Sequence, residues 1–185
     1  MKVALSAGHG KRIGHAGIIV YDPGAVYYGI AEHDVCLGIV NMVFALCNKI
    51  PELELIEIPP DTLQEKVSFI NAYGAEVAIE LHLNSATDTK VRGTECLYYP
   101  GSAEGFKIAL QLSKTISTNI NTPNRGIKER PDLYFLRKTR CPAVVLEADF
   151  LSNKNFATEI TEGFVRQKIA YALAYFMFLM SKGAV

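Results

Sequence analysis

Short apolar runs and longer amphipathic stretches alternate along this chain, the pattern of an α/β layer structure. Lys2 to Ser6 reads as a first strand. Gly8 to Ile30 is rich in glycine, carries the turn signal Asp22-Pro23-Gly24, and reads as one long loop. Loops of that length in compact domains are usually functional. From Glu32 to Lys49, apolar residues recur at Val35, Ile39, Met42, Val43 and Leu46, one face of an amphipathic helix that Pro51 ends. Leu53 to Ile58 alternates like a strand and stops at Pro59-Pro60. Asp61 or Thr62 caps a second helix through Tyr73, with Gly74 just past its end. Val77 to Leu83 and Thr94 to Tyr99 read as strands, and Ser102 caps a helix running to about Ile120. The polar stretch Asn121 to Asp132 contains Pro123, Gly126 and Pro131 and reads as a loop. Leu133 to Leu136 and Ala143 to Leu146 complete the strand set, and about Thr158 to Ser181 is helical.

These elements predict a mostly parallel twisted sheet with helices on both faces. No repeat or linker divides the chain, so residues 1–185 are expected to form a single domain. Nineteen basic residues balance nineteen acidic ones, so nothing favours binding nucleic acid through its phosphates or a polybasic membrane anchor. The apolar run Ile169 to Met180 is too short to span a bilayer. It is expected to pack in the core of a monomer, with a stripe that dimerises the chain as the alternative. The amino terminus lacks the apolar stretch of a signal peptide, which implies synthesis in the cytoplasm. Cys36 and Cys47 lie eleven positions apart on one predicted helix, too far for a disulfide. Cys96 and Cys141 fall in predicted strands, and all four cysteines are expected to be reduced.

Candidate chemistry sits where these elements begin or end. His9 follows the first apolar run, His82 closes Val77 to Leu81, Glu147 closes Ala143 to Leu146, and Glu32 opens the long helix. If the three runs are parallel strands, their carboxyl ends share one edge of the sheet, where open α/β proteins bind ligands. Two imidazoles and a carboxylate are a recurrent catalytic zinc set, and a second carboxylate nearby can act as general base. Plainer readings exist. Buried histidines are often only hydrogen-bonded, and a glutamate at a helix start often answers the helix dipole. Glu147 resists such a reading, because a carboxylate after four apolar strand residues needs a partner or a task.

The segments around these residues resemble the zinc-dependent N-acetylmuramoyl-L-alanine amidases, a family of peptidoglycan hydrolases that includes many phage endolysins. The family's Asp-Pro-Gly-His-Gly loop corresponds to Ser6-Ala7-Gly8-His9-Gly10, and its Asp-Pro-Gly-Ala followed by a helix-opening Glu to Asp22-Pro23-Gly24-Ala25 and Glu32. Its Leu-x-x-Arg helix is similar to Leu63-Gln64-Glu65-Lys66, and its Ser-Ile-His-Ala-Asn strand end to Glu80-Leu81-His82-Leu83-Asn84. Its late Arg-Gly, Leu-Arg and Pro-Ala-Val-Leu-Val-Glu elements resemble Arg125-Gly126, Leu136-Arg137 and Pro142 to Glu147, and Phe-Ile-Ser-Asn resembles Phe150 to Asn153. The pieces occur in order from about residue 3 to residue 155.

This resemblance implies one zinc ion per chain, held by His9, Glu32 and His82, with Glu147 as the catalytic carboxylate. It implies hydrolysis of the amide between N-acetylmuramic acid and the L-alanine of the stem peptide. Asn84 and Arg125 flank the same sheet edge and are candidate substrate contacts. A zinc peptidase acting on stem peptides and an inactive wall-binding module of the same fold are the rival readings. The whole chain would be the catalytic domain, with no separate wall-binding domain. Without an export signal, an endolysin or delivered effector that reaches the wall after release is expected. The departures are Ser6-Ala7 for Asp-Pro, Ile58-Pro59-Pro60 in place of a Thr-Arg element, and Glu80 where the family has a small residue. Glu80 shares a strand face with His82, so it contacts His82 or the metal, or sits on a solvated strand end. His15 and His33 are rival ligands to Glu32.

Overall fold

The computed structural model describes residues 1–58 and 61–185; the expected Pro59-Pro60 stop lies outside them. The strands are β1 (Lys2–Ala7), β2 (Gly10–Ile13), β3 (Ile19–Asp22), β4 (Val26–Tyr27), β5 (Ile30–Ala31), β6 (Glu54–Glu57), β7 (Val77–Asn84), β8 (Thr94–Tyr98), β9 (Asn124–Glu129) and β10 (Ala143–Phe150). The helices are α1 (Glu32–Cys47), α2 (Leu63–Tyr73), α3 (Ala103–Ile120), α4 (Tyr134–Lys138), α5 (Lys154–Thr161) and α6 (Phe164–Ser181). The central sheet has the order β6-β1-β7-β10-β8-β9. Every neighbouring pair is parallel except β10 with β8. This is the mostly parallel sheet that the alternating pattern predicts.

Side-chain alternation divides the molecule into two apolar layers. Val3 and Leu5 of β1, Ile79 and Leu81 of β7 and Val144 and Leu146 of β10 pack with α1, α3, α5 and α6. Ala4, Ala78, Leu97, Ala143 and Val145 face the other way, beneath Val67 and Ile70 of α2 and Phe135 and Leu136 of α4. Burial on both faces explains why β7 and β10 read as nearly continuous apolar runs. The run Ile169 to Met180 lies within α6, which buries Ile169, Leu173, Phe176 and Met177 in the core. Among the described residues, no helix is long and apolar enough to cross a membrane.

Local signals act where the sequence places them. The Thr62 hydroxyl accepts the Glu65 N–H while the Glu65 carboxylate accepts the Thr62 N–H, a reciprocal cap on α2. Gly74 ends that helix at φ 70°, a backbone conformation costly for residues with a Cβ.

The structure corrects the sequence reading at several places. The stretch Asn121 to Asp132 is not all loop, since it contains β9, an exposed edge strand pairing with β8. Leu133 to Leu136 is not a strand, because Leu133 caps the short helix α4. The helical region at the end is two helices, broken at Gly163 with φ 87°. The long loop after β1 folds into two small hairpins, β2 with β3 and β4 with β5. Cys141 precedes β10 rather than lying in it, and all four cysteines are free thiols.

Candidate active site

The alternation that buries Ala78 and Val145 against α2 and α4 carries Glu80, His82 and Glu147 on the same face, nearer the carboxyl ends of β7 and β10. His82 and Glu147 are register partners on these adjacent parallel strands. His9 stands just past β1 at φ 59°, a left-handed conformation uncommon for a residue with a side chain. Glu32 arrives from the opposite layer as the first residue of α1. The residue is buried, 3% exposed, and its carboxylate accepts the backbone N–H groups of Ala25 (2.8 Å) and Leu83 (3.1 Å).

The two histidines flank that carboxylate. His9 Nε2 lies 3.2 Å from Glu32 Oε2, and His82 Nδ1 lies 2.9 Å from Glu32 Oε1. One ligand atom from each of His9, Glu32 and His82 can be chosen so that all lie within 4.8 Å of one another. Donors at about 2.0–2.1 Å from a tetrahedral zinc ion would be about 3.3 Å apart, so the set needs only small adjustment to share one ion. The outer nitrogens are also engaged. His9 Nδ1 is 3.1 Å from Asp22 Oδ2, and His82 Nε2 is 3.2 Å from Glu80 Oε2. Carboxylates in these outer positions fix the tautomer and orientation of metal-binding imidazoles.

The protonation balance follows from this packing. For Glu32, burial alone would raise the pKa, but hydrogen bonds from His82 and His9 hold it far below the usual carboxylate range. Burial pushes His9 and His82 down, yet the hydrogen bonds and charge of nearby carboxylates, Glu32 and Asp22 for His9 and Glu32 and Glu80 for His82, together outweigh it and leave both raised. Glu147 goes the other way. Burial pushes its carboxyl up to about 7; the His82 charge opposes this and the Glu32 and Glu95 charges add to it. Its buried Oε2 has no hydrogen-bond partner, a costly condition that suits a group with a task.

Close packing at two glycines makes room for these rings. A Cβ on Gly8 would overlap the His82 imidazole, and one on Gly24 would overlap Glu32 and His9. Gly8→Ala is therefore expected to leave the sheet formed while cutting metal content to well below half. Metal analysis beside a thermal melt checks this, and full metal content in the variant would show that the His82 ring has room to move.

The rival ligands do not join the cluster. His33 is buried but donates through Nδ1 to the Gly8 carbonyl at 2.7 Å, bracing the turn that presents His9. His15 lies exposed in the short turn between β2 and β3. Asn84 and Arg125 do meet, through a residue the sequence reading passed over. Glu95, 5% exposed, accepts from Asn84 Nδ2 (3.1 Å), Arg125 Nε (2.9 Å) and Lys128 Nζ (2.7 Å). It is the register partner of Glu147 on β8. A carboxylate inside the apolar run Thr94 to Tyr99 was the available signal, by the same reasoning that picks out Glu147. Asp22 and Lys66 lie in polar stretches where nothing local marks them as neighbours of the histidines.

A cavity of about 410 Å³ opens beside the histidines, walled by His9, Asp22, Lys66, Glu80 and His82 and by Lys11, Arg12 and Gln64. A larger, more apolar cleft of about 480 Å³ between Tyr27, Tyr28 and α5 holds none of these titratable groups. The cluster of titratable groups lines the smaller one.

Residues 3–177 match the Amidase_3 family model, described as N-acetylmuramoyl-L-alanine amidase. The chain is 25% identical over 176 residues to the N-acetylmuramoyl-L-alanine amidase LytC of Bacillus subtilis, covering 92% of this chain and 34% of that protein. It is 30% identical over 167 residues to the endolysin of Bacillus phage SPP1, covering 84% of this chain and 56% of the endolysin. It thus spans about a third and about half of these two relatives. Among solved structures, the catalytic domain of the amidase CwlV from Bacillus (Paenibacillus) polymyxa var. colistinus superposes with a TM-score of 0.84 at 23% identity, covering 100% of both chains. That likeness establishes the fold, and the match over residues 3–177 establishes the family: this chain belongs to the Amidase_3 family of N-acetylmuramoyl-L-alanine amidases.

Proposed function

We propose that this chain hydrolyses the amide joining the lactyl group of N-acetylmuramic acid to the L-alanine of the peptidoglycan stem peptide. In this reading His9, Glu32 and His82 hold one zinc ion and Glu147 is the catalytic carboxylate. The observation that carries it is the convergence of three donors within 4.8 Å of one another beside a buried carboxylate with an unpartnered oxygen. When bound, the ion supplies Lewis acidity, polarising the carbonyl and acidifying water.

The protein's own groups do the rest. Glu147, with its carboxyl near 7, is suited to take the proton of the attacking water and to return it to the departing amine. The C–N bond breaks as a C–O bond forms, leaving a lactyl carboxylate and the free amine of L-alanine. Asp22 holds the outer nitrogen of His9, so that its Nε2 stays directed at Glu32. Arg125, 37% exposed, gives one N–H to Glu95 and has further donors for a substrate carboxylate or carbonyl. Asn84 sits on the same network. The similarity to the SPP1 endolysin supports a lytic role reached by release or delivery to the wall.

Digestion of purified peptidoglycan tests the reaction. New amino-terminal L-alanine and intact sugar strands are expected by mass spectrometry. Termini from within the stem peptide would instead mark a peptidase, and new reducing sugar ends a glycosidase.

A further inference from the structure

Three buried polar residues, Ser6, Lys66 and Glu80, meet at one spot of the fold. Ser6 and Glu80 are register partners on β1 and β7. Their side chains therefore leave the same face of the sheet about 4.8 Å apart. Both residues are buried, at 3% and 4% exposure, and Lys66 reaches over them from α2 at 3%. Lys66 Nζ donates to the carbonyls of Ala7 and His9, each at 2.6 Å, and lies 3.9 Å from Glu80 Oε1. The other Glu80 oxygen faces His82 Nε2 at 3.2 Å, while His82 Nδ1 is the nitrogen turned to Glu32.

A buried carboxylate is costly unless a cation and hydrogen bonds compensate it. Glu80 has Lys66 on one side and an imidazole on the other. By accepting the Nε2 proton it would fix the His82 tautomer that leaves Nδ1 free toward Glu32, as Asp22 does from the other side for His9. The Ser6 hydroxyl beside them is buried without a partner. We propose that Glu80 is a positioning residue for His82, with Lys66 as its counter-ion. The inference rests on the metal-site reading above.

Zinc affinity, measured by competition with a chromophoric chelator, tests it without recourse to activity, with circular dichroism to confirm folding. The unaltered chain is expected to bind one zinc. Glu80→Ser is expected to weaken binding by about 10–100-fold, the usual effect of losing an outer carboxylate on a ligating histidine. Glu80→Gln keeps the shape without the charge and is expected to fall between, and it carries the test if the serine variant does not fold. Unchanged affinity in the Glu80 variants would overturn the positioning role. Failure of the unaltered chain to bind zinc is a separate result that removes the metal-site reading itself.

Discussion

Glu147→Ala is expected to lower turnover by about 10²–10⁴-fold while zinc content stays near one per chain. The separation follows from geometry. The three donors that converge on one point are His9, Glu32 and His82, and none depends on Glu147 for a hydrogen bond. Glu147 contributes a proton-transfer group held against its own charged form. Loss of zinc in the variant would make Glu147 a ligand, and retained turnover would place the base elsewhere. Glu147→Gln adds a check in metal-free protein. A carboxyl raised from 4.5 to about 7 on folding favours the folded state fully below pH 4.5, and that contribution is lost as pH rises through 7. Metal-free Glu147→Gln is therefore expected to gain stability over the unaltered metal-free chain above pH 7, by up to about 3 kcal/mol, and none near pH 4. Denaturant melts at the two pH values read this directly. An equal difference at both would detach the effect from ionisation.

Stripping the metal with a strong chelator is expected to abolish hydrolysis, and about one equivalent of zinc to restore it. An amide has a weak electrophile and a poor leaving group, so a carboxylate alone accounts for only part of the acceleration. The donor set itself argues for an ion. His9 and His82 both crowd the Glu32 carboxylate, and without a metal each contact needs a proton on the imidazole to be favourable. A divalent cation supplies that charge at one point and frees both rings to be neutral ligands. Protein with no detectable metal that still cleaves peptidoglycan would end the proposal. Restoration by excess magnesium as readily as by zinc would speak against an imidazole-rich site.

Much of this was legible in the sequence because burial wrote it there. β1, β7 and β10 are apolar on both faces, and a charged residue ending or interrupting such a run stands out, as His82 and Glu147 do. The cap at Thr62 and the stop at Gly74 were legible for the same local reason. β9 was not, because an edge strand is exposed, and Asn124, Arg125, Gly126 and Lys128 leave no alternation to see. α4 is five residues long, shorter than two helical turns, so Leu133 to Leu136 shows no helical period. Site residues divide in the same way. Those ending an apolar run stand out in the sequence. Asp22 and Lys66 act from a polar hairpin and a helix face, where a charge is unremarkable until tertiary structure turns it inward.

The opening glutamate of α1 belongs to one apolar layer, whereas His82 and Glu147 project from the other side of the sheet. An ion shared by Glu32 and His82 would act as a rivet through the rim, clamping the two slabs together. Because Ala25 and Leu83 both donate their amides to that same carboxylate, the rivet's grip extends into the hairpin segment and into β7 at once. Filling the site would then steady both segments together.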